Sequence, residues 1–293
     1  MSLRADIEAF VGHLRGRHYS ARTCALYAGD LARLAECAGG RSAEALQVHD
    51  LRRCLAQLHA RGYAPRSLAR MLSAWRRFYA WLGRAGRVQA NPCAGLRAPK
   101  GARRLPHTLS PDAVAQLLAP AAAADALALR DRAMFELMYS SGLRLSELVG
   151  LNLGEVDLAA GEVTVTGKGR KTRIVPVGRM AIAALQAWLA VRPSVARDER
   201  ALFVGARGGR ISPRVVQVQL KRLGLSRGLT TRVHPHALRH SFASHLLQSS
   251  GELRAVQEML GHASLSTTQV YTHLDYQHLA RVYDQAHPRA RKK

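Results

Sequence analysis

Between Ala98 and Pro106 the chain reads Ala-Pro-Lys-Gly-Ala-Arg-Arg-Leu-Pro, and neither a helix nor a strand continues through such a run. Each proline lacks an amide hydrogen and turns the residue before it away from helical angles, while the glycine adds freedom rather than order. Asn91-Pro92 lies just upstream. The sequence is thereby cut into two stretches, each of which must close a core of its own. With 293 residues, 47% of them hydrophobic, there is material for both. The expected organisation is a helical unit over 1–97, a linker over 98–106 and a mixed unit over 107–293.

The first stretch carries helical periodicity only. Leu3, Ile7, Phe10, Val11 and Leu14 form one stripe behind a Ser2 cap, and Tyr27, Leu31 and Leu34 form another behind Ser20. A third helix shows Leu51, Leu55 and Leu58. The fourth, with Leu68, Leu72, Trp75, Phe78, Tyr79 and Leu82, ends at Gly83 or Gly86. Its other face holds Arg66, Arg70, Arg76, Arg77 and Arg84 with almost no acids nearby, which reads as a surface turned toward a polyanion.

The second stretch opens on Ser110-Pro111, a cap followed by proline at the first helical position. Helices are expected at 110–118 and 126–141, the second closed by Gly142 in a left-handed conformation. The pattern then switches to period two. Glu162–Thr166 and Lys171–Val175 alternate around Gly167-Lys-Gly-Arg170, a hairpin. That turn is not a phosphate-binding P-loop, because it lacks the second glycine spacing and joins two strands. From Arg179 onward the chain reads helical apart from a short strand at Leu202-Phe203-Val204. The fold class is mainly α with a small β-sheet.

Charge narrows the function. Forty-four basic residues stand against 20 acidic ones, a formal charge of +24. The excess is spread along the chain: 16 basic against 6 acidic residues in 1–97, and 25 against 14 in 107–293. An isolated basic tail is excluded, and a two-part grip on a nucleic acid, driven by counterion release, fits. A GC-rich genome would favour Arg over Lys, but such a bias does not remove acids. The four cysteines, Cys24, Cys37, Cys54 and Cys93, show no CxxC spacing and read as reduced thiols rather than zinc ligands. No signal peptide and no run of about 18 apolar residues is present, so a soluble cytoplasmic protein with no membrane partner is expected.

Four segments of the second stretch concentrate the polar chemistry. They are Ser141-Gly-Leu-Arg144-Leu-Ser-Glu147, the hairpin turn with Lys168, His236-Ala-Leu-Arg239-His240, and Gly261-His262 followed by Tyr271. Histidines, an arginine and a tyrosine recurring between His234 and Asp275 point to groups gathered around a phosphate. On these residues the chain resembles the tyrosine recombinases, the integrase family, over nearly its whole length. The pattern Arg…Lys…His-x-x-Arg…His…Tyr is matched at Arg144, Lys168, His236, Arg239, His262 and Tyr271.

The resemblance implies a SAM-like helical core-binding domain and a catalytic domain closing as a C-shaped clamp on duplex DNA. Two guanidinium forks, Arg144 and Arg239, would hold the non-bridging oxygens of a phosphodiester under attack. His236 and His262 would add hydrogen bonds, with His236 assisting proton removal from the nucleophile Tyr271, and Lys168 would protonate the leaving 5′-oxygen. One ester replaces another, so neither a metal nor ATP is required and no cofactor is expected. Glu147 would orient Arg144 from a shared helix. His236 and His240 stand four apart and imitate a metal pair, but no HExxH frame or nearby cysteine supports one.

Tyr139, Tyr276 and Tyr283 are rival nucleophiles. Tyr139 and Tyr283 sit in apolar stripes that read as packing, and only the family pattern separates Tyr271 from Tyr276. Within the family, segments 247–262 and 275–289 resemble the Xer recombinases that resolve chromosome dimers before cell division. That implies a dif-like site, an XerD-like recombinase completing a heterotetramer, strand exchange through a Holliday junction, and the translocase FtsK as activator of the partner. Leu279, Val282, Tyr283 and Ala286 suit a tail helix docking on a neighbouring protomer, or one folded back on its own domain. A phage or transposon integrase would share the chemistry, but its extra N-terminal arm-binding domain is not expected here, since the first helix begins at once. A type IB topoisomerase fits the motifs less well. A non-cutting architectural DNA-binding protein is the alternative from another class, against which the intact Arg144, Lys168, Arg239 and Tyr271 speak.

Overall fold

The computed structural model describes residues 2–100, 108–120, 125–167, 171–229, 233–261 and 282–289. The chain divides into two compact units, Met1–Arg104 and Leu105–Lys293.

In the first unit the caps read from the sequence set the helix starts. The Ser2 hydroxyl accepts from Ala5 N at 3.3 Å and opens α1 (Leu3–Gly16), and Ser20 accepts from Thr23 N at 3.1 Å and opens α2 (Ala21–Ala38). Next come α3 (Val48–Ala60) and α4 (Pro65–Arg84), the latter with proline at its first position. Their stripes meet in one core of Phe10, Leu31, Leu51, Leu58, Trp75 and Phe78, all buried. Trp75 Nε1 donates to Asp30 O at 2.9 Å, so the largest side chain of this core leaves no orphaned donor.

The arginine face of α4 is exposed at Arg66, Arg70, Arg77 and Arg84, and three of its arginines also have partners outside the helix. Arg70 pairs with Asp30 of α2, Arg76 donates to the carbonyls of Cys93 and Leu96, and Arg77 reaches the Tyr19 and Tyr27 hydroxyls. Partners from other helices are invisible in a helical wheel of α4 alone. The four cysteines are free, and burial pushes the Cys93 thiol up to about 12.

The second unit is built around one helix. After α5 (Pro111–Leu117), α6 (Ala126–Ser141) is buried on every side from Ala133 to Ser141, and Gly142 closes it at φ 58°. A left-handed residue is needed there, and a Cβ would lie 2.6 Å from Phe242 Cε1, so only glycine fits. Arg144 then caps the short α7 (Leu145–Gly150). An antiparallel sheet follows in the order β1 (Val156–Asp157), β2 (Glu162–Thr166) and β3 (Thr172–Pro176), with Val163 opposite Val175 and Val165 opposite Arg173. The remaining helices are α8 (Arg179–Val191), α9 (Pro213–Ser226), α10 (Pro235–Ser250) and α11 (Leu253–Leu260), with a further helical turn at 282–286.

One expectation fails in this unit. Leu202-Phe203-Val204 makes no strand, only isolated bridges flanking it at Asn152–Ala201 and Val204–Arg210. Side chains take the carbonyls a strand neighbour would have used: Arg192 Nε to Ala201 O at 3.1 Å, Trp188 Nε1 to Leu202 O at 2.9 Å, and Arg130 Nη1 to Val204 O at 3.0 Å. The tail stripe, open from the sequence to either placement, packs into its own unit in this chain. Val282, Tyr283 and Ala286 join the core around α6, the Tyr283 hydroxyl meets Ser140 Oγ at 2.7 Å, and Arg289 pairs with Glu136. Burying an aromatic ring and satisfying its hydroxyl in one place is what holds the tail there. Leu279 lies outside the described residues. Among the described residues no helix is long and apolar enough to cross a membrane.

Candidate functional site: an arginine cluster around Glu147

Glu147 is the centre of the site. It lies at the third position of α7, buried to 4% exposure, and its carboxylate is shared by two arginines and an amide. Oε1 accepts from Arg144 Nη1 and from Arg173 Nη1, both at 2.8 Å. Oε2 accepts from Arg173 Nη2 at 3.0 Å and from the Arg144 amide at 2.8 Å, and Arg239 Nη1 stands 3.9 Å away. Burial is the largest influence on this carboxyl and opposes its ionisation. The hydrogen bonds and charge of Arg173, joined by those of Arg144, outweigh it and hold Glu147 below the usual carboxylate range.

Arg144 was expected to share a helix with Glu147. It stands just outside, as the extended N-cap residue at φ −72° and ψ 149°, which frees its side chain to fold back on Glu147. Its other terminal nitrogen, Nη2, donates to Gly261 O at 3.0 Å. Arg239, on α10, is 7% exposed and donates to Gly142 O and, at 2.6 Å, to Leu260 O. Burial first, then the Arg144 charge, lowers its pKa to about 10, so it stays protonated at neutral pH.

The last carbonyls of α11 are thus held in sequence: Met259 O by Arg173 Nε at 2.9 Å, Leu260 O by Arg239, and Gly261 O by Arg144. A helix C-terminus leaves carbonyls without intrahelical partners, and its dipole favours cations there. The arginines supply both needs. Gly261, at φ 61°, is where the chain leaves this clamp toward His262.

His236 is the second residue of α10, exposed and three positions before Arg239, so the two share one face near the start of the helix. Its Nε2 lies 2.9 Å from His240 Nε2. His234 caps the same helix, its Nδ1 accepting from Ala237 N at 3.1 Å. Among the described residues no group of three or more His, Cys, Asp or Glu is placed to hold a metal.

The structure therefore brings Arg144 and Arg239 together around Glu147, with His236 on the adjoining turn. Lys168, His262 and Tyr271 lie outside the described residues, as does Tyr276. Their described neighbours border the cluster. A Cβ on Gly167 would stand 3.6 Å from Glu147 Oε1, and one on Gly261 3.2 Å from Arg173 Nη1. Of the rival tyrosines, Tyr139 is buried with its hydroxyl 2.9 Å from His245 Nδ1, and burial raises the pKa of both Tyr139 and Tyr283. Sequence reasoning missed Arg173. The signal was available: it occupies an inward position of the hairpin, opposite Val165, where alternation calls for an apolar residue.

Known proteins resemble the chain across both of its units. Residues 107–278 match the phage integrase family, and residues 7–86 match the phage integrase N-terminal SAM-like domain. The chain is 55% identical to the tyrosine recombinase XerC of Azotobacter vinelandii, over 99% of its own length and 98% of the relative's. To the tyrosine recombinase XerC of Pseudomonas aeruginosa it is 54% identical, over 99% and 97%. Among solved structures, the XerH site-specific recombinase bound to palindromic difH substrate superposes with a TM-score of 0.70 at 22% identity, covering 96% of this chain and 84% of that one.

Proposed function

Since the chain belongs to the phage integrase family of tyrosine recombinases, and is thereby a DNA strand-transferase, we propose that it acts at a dif-like site together with an XerD-like partner to resolve chromosome dimers. The first unit serves as the core-binding domain and 98–106 as the linker that follows the DNA backbone. The reaction takes place in the cytoplasm, with FtsK acting on the partner.

One observation carries the catalytic reading. Arg144 and Arg239 converge on the end of α11, at the point where the chain runs on to His262 and Tyr271. Two guanidiniums at one helix end suit the two non-bridging oxygens of a phosphodiester, on which charge grows as the phosphorus becomes five-coordinate. The N-terminus of α10, with His236 on its first turn and Arg239 just after it, adds the positive end of a helix. The Tyr271 oxygen attacks phosphorus, its proton passing to His236, while the bond to the 5′-oxygen breaks and Lys168 protonates that oxygen. His262 donates to the phosphate. A 3′-phosphotyrosyl ester and a free 5′-hydroxyl result, and attack by a 5′-hydroxyl from the other duplex reverses the step with the strands exchanged.

The experiment is recombination in vitro of duplexes carrying dif-like sites, with and without an XerD-like partner. Exchange that needs both proteins supports the reading. Exchange by this chain alone, or on unrelated integrase attachment sequences, would assign it to another branch of the family.

A further inference from the structure

We infer that Arg173, which lies outside the six-residue pattern of the family, is a positioning residue for strand cleavage that sets the catalytic arginine through Glu147. The inference rests on the proposed function. Arg173 touches the described part of three separate segments that carry the proposed catalytic groups. It holds Glu147, which in turn holds Arg144. A Cβ on Gly167, the residue before Lys168, would lie 3.8 Å from its Nη1, and one on Gly261, the residue before His262, would lie 3.2 Å from the same atom. Its Nε fixes the Met259 carbonyl at 2.9 Å, two residues before Gly261.

The geometry needs a guanidinium. Nη1 and Nη2 grip both oxygens of Glu147 while Nε serves a carbonyl on the other edge of the same plane, a division of donors that a lysine ammonium cannot reproduce. Arg173 itself is 7% exposed, at an inward position of β3, whereas the Arg144 side chain is 37% exposed. The buried arginine therefore orients the carboxylate from behind, and the open one is presented to the substrate.

Releasing Glu147 from Arg173 frees its carboxylate to rotate, and Arg144 loses the fixed partner that aims its second nitrogen. It also loosens the end of α11 on which the following segment is registered. Misplacement of reacting groups by about 1 Å costs roughly a hundredfold in rate without a matching loss of binding. A role confined to stability would lower folding and leave the rate of the folded enzyme unchanged.

The test uses the full chain and a nicked suicide duplex carrying a dif-like site, with a scrambled duplex as control. Arg173→Lys, Arg173→Met, Glu147→Gln and the Arg173→Lys/Glu147→Gln double variant are compared. Gel-shift affinity, thermal unfolding and single-turnover adduct formation at saturating DNA are measured from pH 6 to 9. Arg173→Lys should bind within about threefold of wild type yet form adduct about 30- to 100-fold more slowly. Arg173→Met should slow more steeply toward pH 6 than wild type does, because burial, which raises the pKa of Glu147, is then opposed by Arg144 without Arg173. The double variant should be no slower than Glu147→Gln alone, since the two residues act in series.

Wild-type rates in Arg173→Lys, a loss that only follows unfolding, or additive effects in the double variant would overturn the inference while leaving the proposed function intact. If the Arg173 variants do not fold, wild-type cleavage by Glu147→Gln overturns it equally. Absence of adduct from the wild-type chain on the dif-like duplex would overturn the proposed function and this role with it.

Discussion

Lowering the pH from 7.5 to 5.5 should destabilise the catalytic unit through a single buried histidine of the tail. His287 is 4% exposed, stacked on Tyr283 at 4.7 Å, with Tyr139 and Phe242 rings at 5.0 and 5.5 Å. Its Nδ1 accepts from Arg289 N at 3.2 Å, a bond only the neutral ring can make. Burial is the main cause that pushes its pKa down to about 3 from 6.5, and the nearby His245 and Arg289 charges add to it. Between those values the unfolded chain binds a proton that the folded chain refuses. The stability is therefore complete above pH 6.5 and lost progressively as the pH falls toward 3. One pH unit below the unfolded value the loss is about 1.4 kcal/mol, and it hardly depends on the folded value so long as that stays well below 5. His245, also lowered by burial, acts in the same direction. The assay is urea unfolding at both pH values, read by a pulse of protease with fragments identified by mass, so that each unit is followed by itself. His287→Phe keeps the ring and removes the titration, and its pH dependence should be smaller than that of wild type by about 1.4 kcal/mol. Equal pH dependence in the two proteins would refute the reasoning.

Three other outcomes follow from the geometry. Gly142→Ala should destabilise the catalytic unit by about 2–4 kcal/mol, combining left-handed strain with a clash against Phe242, as measured by the same urea transitions. Arg144→Lys should bind DNA nearly as wild type but cleave about 10²–10³-fold more slowly, because an ammonium cannot serve Glu147, Gly261 and a phosphate oxygen as a fork does; unimpaired single-turnover cleavage would count against the two-guanidinium reading. Binding to duplex DNA, followed by fluorescence anisotropy, should weaken linearly in log–log form with salt, a slope of about −5 or steeper corresponding to six or more phosphates neutralised.

How much of this was legible in the sequence depends on the range of the interaction. Ser2, Ser20 and Ser110 bond amides three residues ahead, and Gly142 needs only its own backbone angles, so helix ends could be read locally. Arg144 and Glu147 were visible as a pair for the same reason. The two-residue strand β1 carries no alternation and exists only because β2 offers an edge. Leu202–Val204 looked like a strand because its side chains are buried, but burial does not say which groups take the carbonyls. The partners of Arg70, Arg76 and Arg77 could not be read locally, because they lie 17 to 58 residues away. Arg173 was missed because a buried arginine makes sense only once Glu147 and the end of α11 are placed around it.

The most direct test of the central claim is covalent. A nicked suicide duplex carrying a dif-like site is incubated with the full chain without added metal, and the protein–DNA adduct is digested and mapped by mass spectrometry. The phosphate should be found on Tyr271, and Tyr271→Phe should bind the duplex and form no adduct. An adduct that survives Tyr271→Phe, or one that maps to Tyr276, would contradict the assignment of the nucleophile.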